Sequence, residues 1–125
     1  MVKAIISALL GLAIVISASF LENAYVQKQF NSTTENLLIV LEKTKNESVT
    51  SNDISLVKKQ WFKQKEKLHI FIPHNEIKEV DLWICEAVTL IDCKNYEDAV
   101  NKLEVSINLI KQISKTFSLR LENVL

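Results

Sequence analysis

"AIISALLGLAIVISASFL", residues Ala4–Leu21, runs for eighteen positions without a charged side chain, and the way it is read decides the fold of the remaining chain. As a helix rising ~1.5 Å per residue it is about 27 Å long, close to the ~30 Å hydrocarbon core of a bilayer. A basic start, an apolar run and then the small residues Ser17, Ala18 and Ser19 also describe a cleavable signal peptide. The run continues unbroken through Val15 and Ile16 and is extended by Phe20 and Leu21, which is long for a signal, so a retained anchor is the stronger reading. A buried core helix is the weakest reading, because a 125-residue chain has little else with which to surround such a segment.

The chain therefore divides into residues 1–22, a transmembrane anchor or uncleaved signal, and residues 23–125, a helical domain. Lys3 is the one basic residue ahead of the run and Glu22 follows it. This places the N-terminus in the cytoplasm and the domain outside, anchored in the cell membrane by a single pass with lipid around residues 4–21.

One Gly and one Pro leave little material for tight turns, which argues against a sheet-rich fold. The expected architecture is all-α, an N-terminal transmembrane helix followed by a small antiparallel helical bundle. Fifteen basic residues balance fifteen acidic ones, so bulk charge points to no nucleic-acid partner.

Beyond the span, Ser32 and Glu35 have the spacing of a capping box, which predicts a break and restart of the helix there. "LLIVL", Leu37–Leu41, is apolar on every side and is expected to be surrounded by other elements. "KNESVTSND", Lys45–Asp53, reads as a loop whose Ser51, Asn52 or Asp53 caps the next helix. There Ile54, Val57, Trp61, Leu68 and Ile72 share one helical stripe, and Lys59, Lys63 and Lys67 line the opposite face. Pro73 disfavours helical geometry at Ile72, so a corner is expected at that point.

Ile77, Val80, Ile84, Ala87, Val88 and Ile91 make the stripe of a third exported helix, and Asn95 with Asp98 caps a fourth. That last helix carries Tyr96, Ala99, Val100, Leu103, Ile107, Ile110 and Phe117 on its inner face. The second exported helix is basic and the third acidic, so antiparallel packing would set opposite charges along their shared rim.

Glu66, His69, His74 and Glu76 are weak metal candidates, since histidine and carboxylate both bind zinc but the two histidines lack the four-residue helical spacing. The reading is of no metal and no cofactor. Cys85 and Cys93 are eight apart, about 12 Å along a helix, too far for a disulfide; unpaired cysteine more often serves as a small buried hydrophobe. Trp61 and Trp83 are expected in the core or an interface. No phosphate loop or nucleophile elbow is present, and no catalytic residue is assigned.

Motifs across the whole chain carry a family resemblance: "KQW" at Lys59–Trp61, "HNEI" at His74–Ile77, "VDL" at Val80–Leu82, "YEDAVNKLE" from Tyr96 and the terminal "ENVL". Together with the single span they resemble the bacterial domain-of-unknown-function family 4363. Resemblance to those small, singly anchored proteins, often encoded beside a multi-pass membrane protein, implies a membrane accessory subunit and carries no established catalytic residue. Pro73 before His74 and the two cysteines depart from the usual pattern.

The expected function is a membrane-anchored interaction module, not an enzyme, with an integral membrane protein as partner and self-association open. Lys59, Trp61, Lys63, Lys67 and His74 are its interaction candidates. A small metal-dependent or lipid-acting enzyme centred on His69 and His74 is the first alternative. The second is a sensor of anionic lipid that uses the lysine face.

Overall fold

The computed structural model describes residues 1–124, with the side chains of residues 1–123. Among these residues there are four helices and no strand: α1 (Val2–Lys45), α2 (Ser51–Leu68), α3 (His74–Asp92) and α4 (Tyr96–Val124). α1 packs against α2 and α4, α3 packs against α4, and the α2–α3 contact is the smallest of the four. The all-α class and the bundle are as expected.

At 44 residues, α1 is about 66 Å long and single from end to end. No break occurs at Ser32. The hydroxyl of Thr33, which would compete with the helix if left free, hydrogen-bonds back to the Gln29 carbonyl at 3.0 Å, and Phe30, Thr33 and Leu37 are buried against the neighbouring helices. Packing thus holds a stretch whose local propensity alone would interrupt it. The apolar run is exposed through Val15, with Ile16 and Ser19 partly covered, so the bundle grips only the C-terminal part of α1.

"LLIVL" is not surrounded. Leu37, Val40 and Leu41 are buried, whereas Leu38 and Ile39 stand 43% and 57% exposed, because α2 and α4 flank α1 on two sides and none of the described residues covers the third. The other stripes fall as the 3.6-residue period predicts. Ile54, Val57, Trp61 and Leu68 are buried on α2, with Ile72 just beyond it; all six residues of the α3 stripe are buried; and Ala99, Leu103, Ile107, Ile110 and Phe117 are buried on α4. Tyr96 and Val100 are half-buried. At ~1.5–3 kcal/mol for each fully buried large aliphatic or aromatic side chain, this shared core is the main source of stability.

The ends are built locally. Thr50, rather than the residues after it, caps α2: its hydroxyl accepts from the Asp53 amide at 3.2 Å, and the Asp53 carboxylate accepts from the Thr50 amide at 2.9 Å. Asn95 caps α4 through Asp98, as the spacing predicts. With glycine absent from these links, α1 and α3 end on residues forced into the left-handed region, Glu47 (φ 55°) and Lys94 (φ 60°). Each is followed by an amide that reaches back to close the turn, Ser48 to the Lys43 carbonyl at 2.8 Å and Asn95 to that of Leu90 at 2.8 Å. Pro73 sets the corner between α2 and α3, which the chain reaches after one turn, Phe71 and Ile72 both bonding to the Leu68 carbonyl.

Candidate functional site

Among the described residues, the rim of opposite charge expected between α2 and α3 is a single bridge, Lys65 Nζ to Asp81 at 3.2 Å. Asp81 also accepts a hydrogen bond of 2.8 Å from the indole N–H of Trp61. Glu86 and Glu76 turn the other way, to Lys102 at 3.2 Å and Arg120 at 3.5 Å on α4, because α3 packs chiefly on α4. Lys58, Lys59, Lys63 and Lys67 consequently have no ion pair among the described residues, and intradomain complementarity does not explain the lysine run.

Two of those lysines face a cleft. α1 and α2 run antiparallel, in a register pinned by Lys43 with Asp53 at 2.7 Å and by Thr33 with the Gln64 amide. Gln60, Lys63, Gln64 and Lys67, spaced i, i+3, i+4 and i+7, therefore confront Lys28, Gln29, Ser32 and Asn36 of α1 across a cleft of ≈ 320 Å³. Three lysines, three glutamines, an asparagine and a serine line it, and among the described residues no aspartate or glutamate does. Gln29 and Gln64 form its floor, 7% and 8% exposed. The Gln29 side-chain amide has no protein hydrogen-bond partner among the described residues, yet none of its atoms is sealed from solvent, so it opens into the cleft. Lys59 lies outside this lining, and Trp61, 3% exposed, faces α3 instead.

At the α2–α3 corner the rings of His69 and His74 stack with centroids 5.3 Å apart, both side chains exposed. Glu66 is exposed and Glu76 is drawn to Arg120. Among the described residues no group of three or more His, Cys, Asp or Glu is arranged to hold a metal ion, so the four candidates are not brought into one set. The corner is held to α1 by the edge-on contact of Phe71 with Tyr25, centroids 5.8 Å apart at 61°. Next to it Ile70 stands 78% exposed. Tyr25 is four residues past Leu21, about 6 Å of helix rise, so the corner lies at the level where the apolar run ends.

Cys85 and Cys93 are free and exposed, not the small core residues their type suggests, since both sit off the α3 stripe. Partial desolvation, with the Asp81 carboxylate nearby, pushes the Cys85 thiol above its usual range. Trp83 is half-buried, with the Lys102 ammonium 4.5 Å from its ring centroid. Asp53 is held down at about 2 by the Lys43 ammonium, the Thr50 amide and the Thr50 hydroxyl.

The family described as a domain of unknown function (DUF4363) matches residues 20–124. The chain belongs to the DUF4363 family. No curated protein and no solved structure matches it. For this DUF4363 chain the match begins at the foot of the apolar run and covers the whole bundle, cleft and corner included. Sequence reasoning reached Lys63, Lys67 and the corner. It missed Gln64, for which the signal was a polar strip at i, i+3, i+4 and i+7 beside the apolar one on α2, and it missed Lys28 and Gln29 of α1, which only the packing of the two helices brings to that strip.

Proposed function

We propose that this DUF4363 protein is a membrane-anchored helical interaction module, an accessory subunit of an integral membrane protein complex, with its bundle on the extracytoplasmic side. The observation that supports this reading is the continuity of α1: one helix carries an exposed apolar run long enough to span and then becomes a core element of the bundle. A hinge-free connection of that kind fixes the height and direction of the bundle relative to a bilayer, which suits a part that must meet a neighbour in the same membrane. Exposed apolar side chains, Leu38 and Ile39 on α1 and Leu56 and Phe62 on α2, offer contact surface above the span.

Chemical crosslinking in intact membranes, followed by solubilisation and affinity purification of the tagged full chain, tests it. A multi-pass protein recovered in fixed ratio is the expected result. Recovery of the chain alone would sink the proposal. Orientation is tested separately by an impermeant maleimide, which reaches exposed Cys85 and Cys93 in intact cells if the bundle is outside; labelling confined to lysed cells reverses the topology. The reading as a small enzyme centred on His69 and His74 rests on the stacked pair alone, and stoichiometric zinc lost in His74→Ala would revive it. The anionic-lipid reading has a specific observation in its favour, the lysine cleft.

A further inference from the structure

We infer that the cleft between α1 and α2 is a binding site for a phosphate-bearing anion, held by Lys28, Lys63 and Lys67 over a floor made by Gln29 and Gln64. Three lysines line one cavity, and among the described residues no acidic one lines it with them. Lysines left to solvation alone would spread around the helices; in this bundle Lys28 comes from one helix and Lys63 and Lys67 from another, and the antiparallel register sets them face to face. A bound anion screens the repulsion among the three.

The floor gives the site direction. Gln29 is more than nine-tenths buried, with a side-chain amide that the protein leaves without a partner among the described residues and that meets the cleft. Solvent reaches this amide through the cleft, so an oxyanion accepting from its NH₂ would take the place of water there. The adjacent Gln64 amide is anchored by Thr33 and is therefore fixed in place. Phosphate suits this set because it presents several acceptor oxygens to ammonium and amide donors at once. At ≈ 320 Å³ the cleft has room for a phosphoester and part of its substituent.

Two sources supply that chemistry, a lipid headgroup or a soluble phosphate compound. The position favours the headgroup if the chain is anchored: Lys28 is seven residues, about 10 Å of rise, beyond Leu21, and lysine side chains reach several ångströms toward the bilayer from there. The cleft itself does not depend on the anchor reading, since a soluble anion needs no membrane.

The test uses the full chain in two settings. In detergent, inorganic phosphate and then a short-chain phosphatidylglycerol are titrated while backbone and glutamine side-chain amide NMR signals are followed; in nanodiscs, phosphatidylglycerol is compared with phosphatidylcholine. Expected are saturable shifts of the Gln29 and Gln64 NH₂ signals with at least one of the phosphate compounds. The triple variant Lys28→Gln/Lys63→Gln/Lys67→Gln weakens binding on the order of a hundredfold, at roughly fivefold per lysine. Lys58→Gln/Lys59→Gln/Lys78→Gln, which removes as much charge outside the cleft, changes it by less than about twofold. Gln29→Met, which leaves charge untouched, weakens it severalfold.

Binding of free phosphate with no gain from phosphatidylglycerol supports the site and assigns it to a soluble ligand. Binding of phosphatidylglycerol alone supports it and assigns it to the membrane. Equal losses in the two triple variants, or no saturable shift at Gln29 and Gln64 with either compound, overturn the proposal. A chain that binds phosphate yet does not fractionate with membranes refutes the anchor and leaves the cleft standing.

Discussion

Replacing Trp61 by Phe probes a polar contact between α2 and α3. Trp61 is 3% exposed and its indole N–H donates to the Asp81 carboxylate at 2.8 Å, while the same carboxylate pairs with Lys65 at 3.2 Å. A hydrogen bond to a charged group contributes about 1.5–3 kcal/mol, and the lower end applies because Asp81 is 28% exposed and partly solvated. The smaller phenyl ring adds roughly 1 kcal/mol for the space it leaves. Trp61→Phe should therefore destabilise by about 2–3 kcal/mol. Asp81→Ala removes the same bond plus a partly exposed ion pair, about 1.5–2.5 kcal/mol in all.

The double variant should cost less than the two single losses together, by a coupling of about 1–1.5 kcal/mol. Urea unfolding of the full chain in a mild detergent, followed by far-ultraviolet circular dichroism at unchanged m-value, measures each corner of the cycle. A coupling below about 0.3 kcal/mol would show that the indole–carboxylate bond contributes nothing to holding α2 against α3.

Glu47→Gly and Lys94→Gly should each stabilise by about 0.5–1 kcal/mol, because both positions sit at positive φ where a Cβ is strained; a shift of the urea midpoint reads this. Thr50→Ala removes the cap of α2 and should destabilise by about 1 kcal/mol, while the carboxyl NMR titration of Asp53 moves up from about 2 toward its ordinary 3.8. Because the folded chain holds Asp53 below its unfolded value, the stability this group contributes is complete above about pH 4 and is lost as pH falls toward 2; an acid transition unaltered in Asp53→Asn would contradict that. If the apolar run is anchored in lipid, then in a Cys85→Ser/Cys93→Ser background in nanodiscs a thiol placed by Ile70→Cys should react with maleimide several times more slowly than one placed by Asn46→Cys at the far end. Between the native thiols, Cys85 should alkylate more slowly than Cys93 near neutral pH, since partial desolvation disfavours its thiolate.

Helical periodicity decided which faces are buried. Every residue of the α3 stripe from Ile77 to Ile91 is buried, and Lys59, Lys63 and Lys67 are exposed, because which face of a helix is apolar is a property of 3.6-residue spacing alone. The Pro73 corner and the Asn95 cap followed from local backbone chemistry in the same way. The helix through Ser32 did not, since Thr33 beside the expected break is bonded to Gln64, 31 positions away, and is buried with Phe30 and Leu37 in the core. Nor did the partners of the charges: α3 carries its acids to Lys102 and Arg120 of α4 and not to the lysines of α2, a choice made by which helices pack closely.

The cleft belongs to this second class. Lys63 and Lys67 are legible as a solvated face, but that they meet Lys28 over a buried Gln29 depends on the antiparallel register of α1 and α2, which is fixed across 31 residues of chain by Thr33 and Gln64. Amino-acid order determines faces, caps and the apolar run, each a matter of neighbours along the helix. Only packing determines which faces are joined and which polar groups are left to share a cavity, because that depends on burying the stripes of four helices at once.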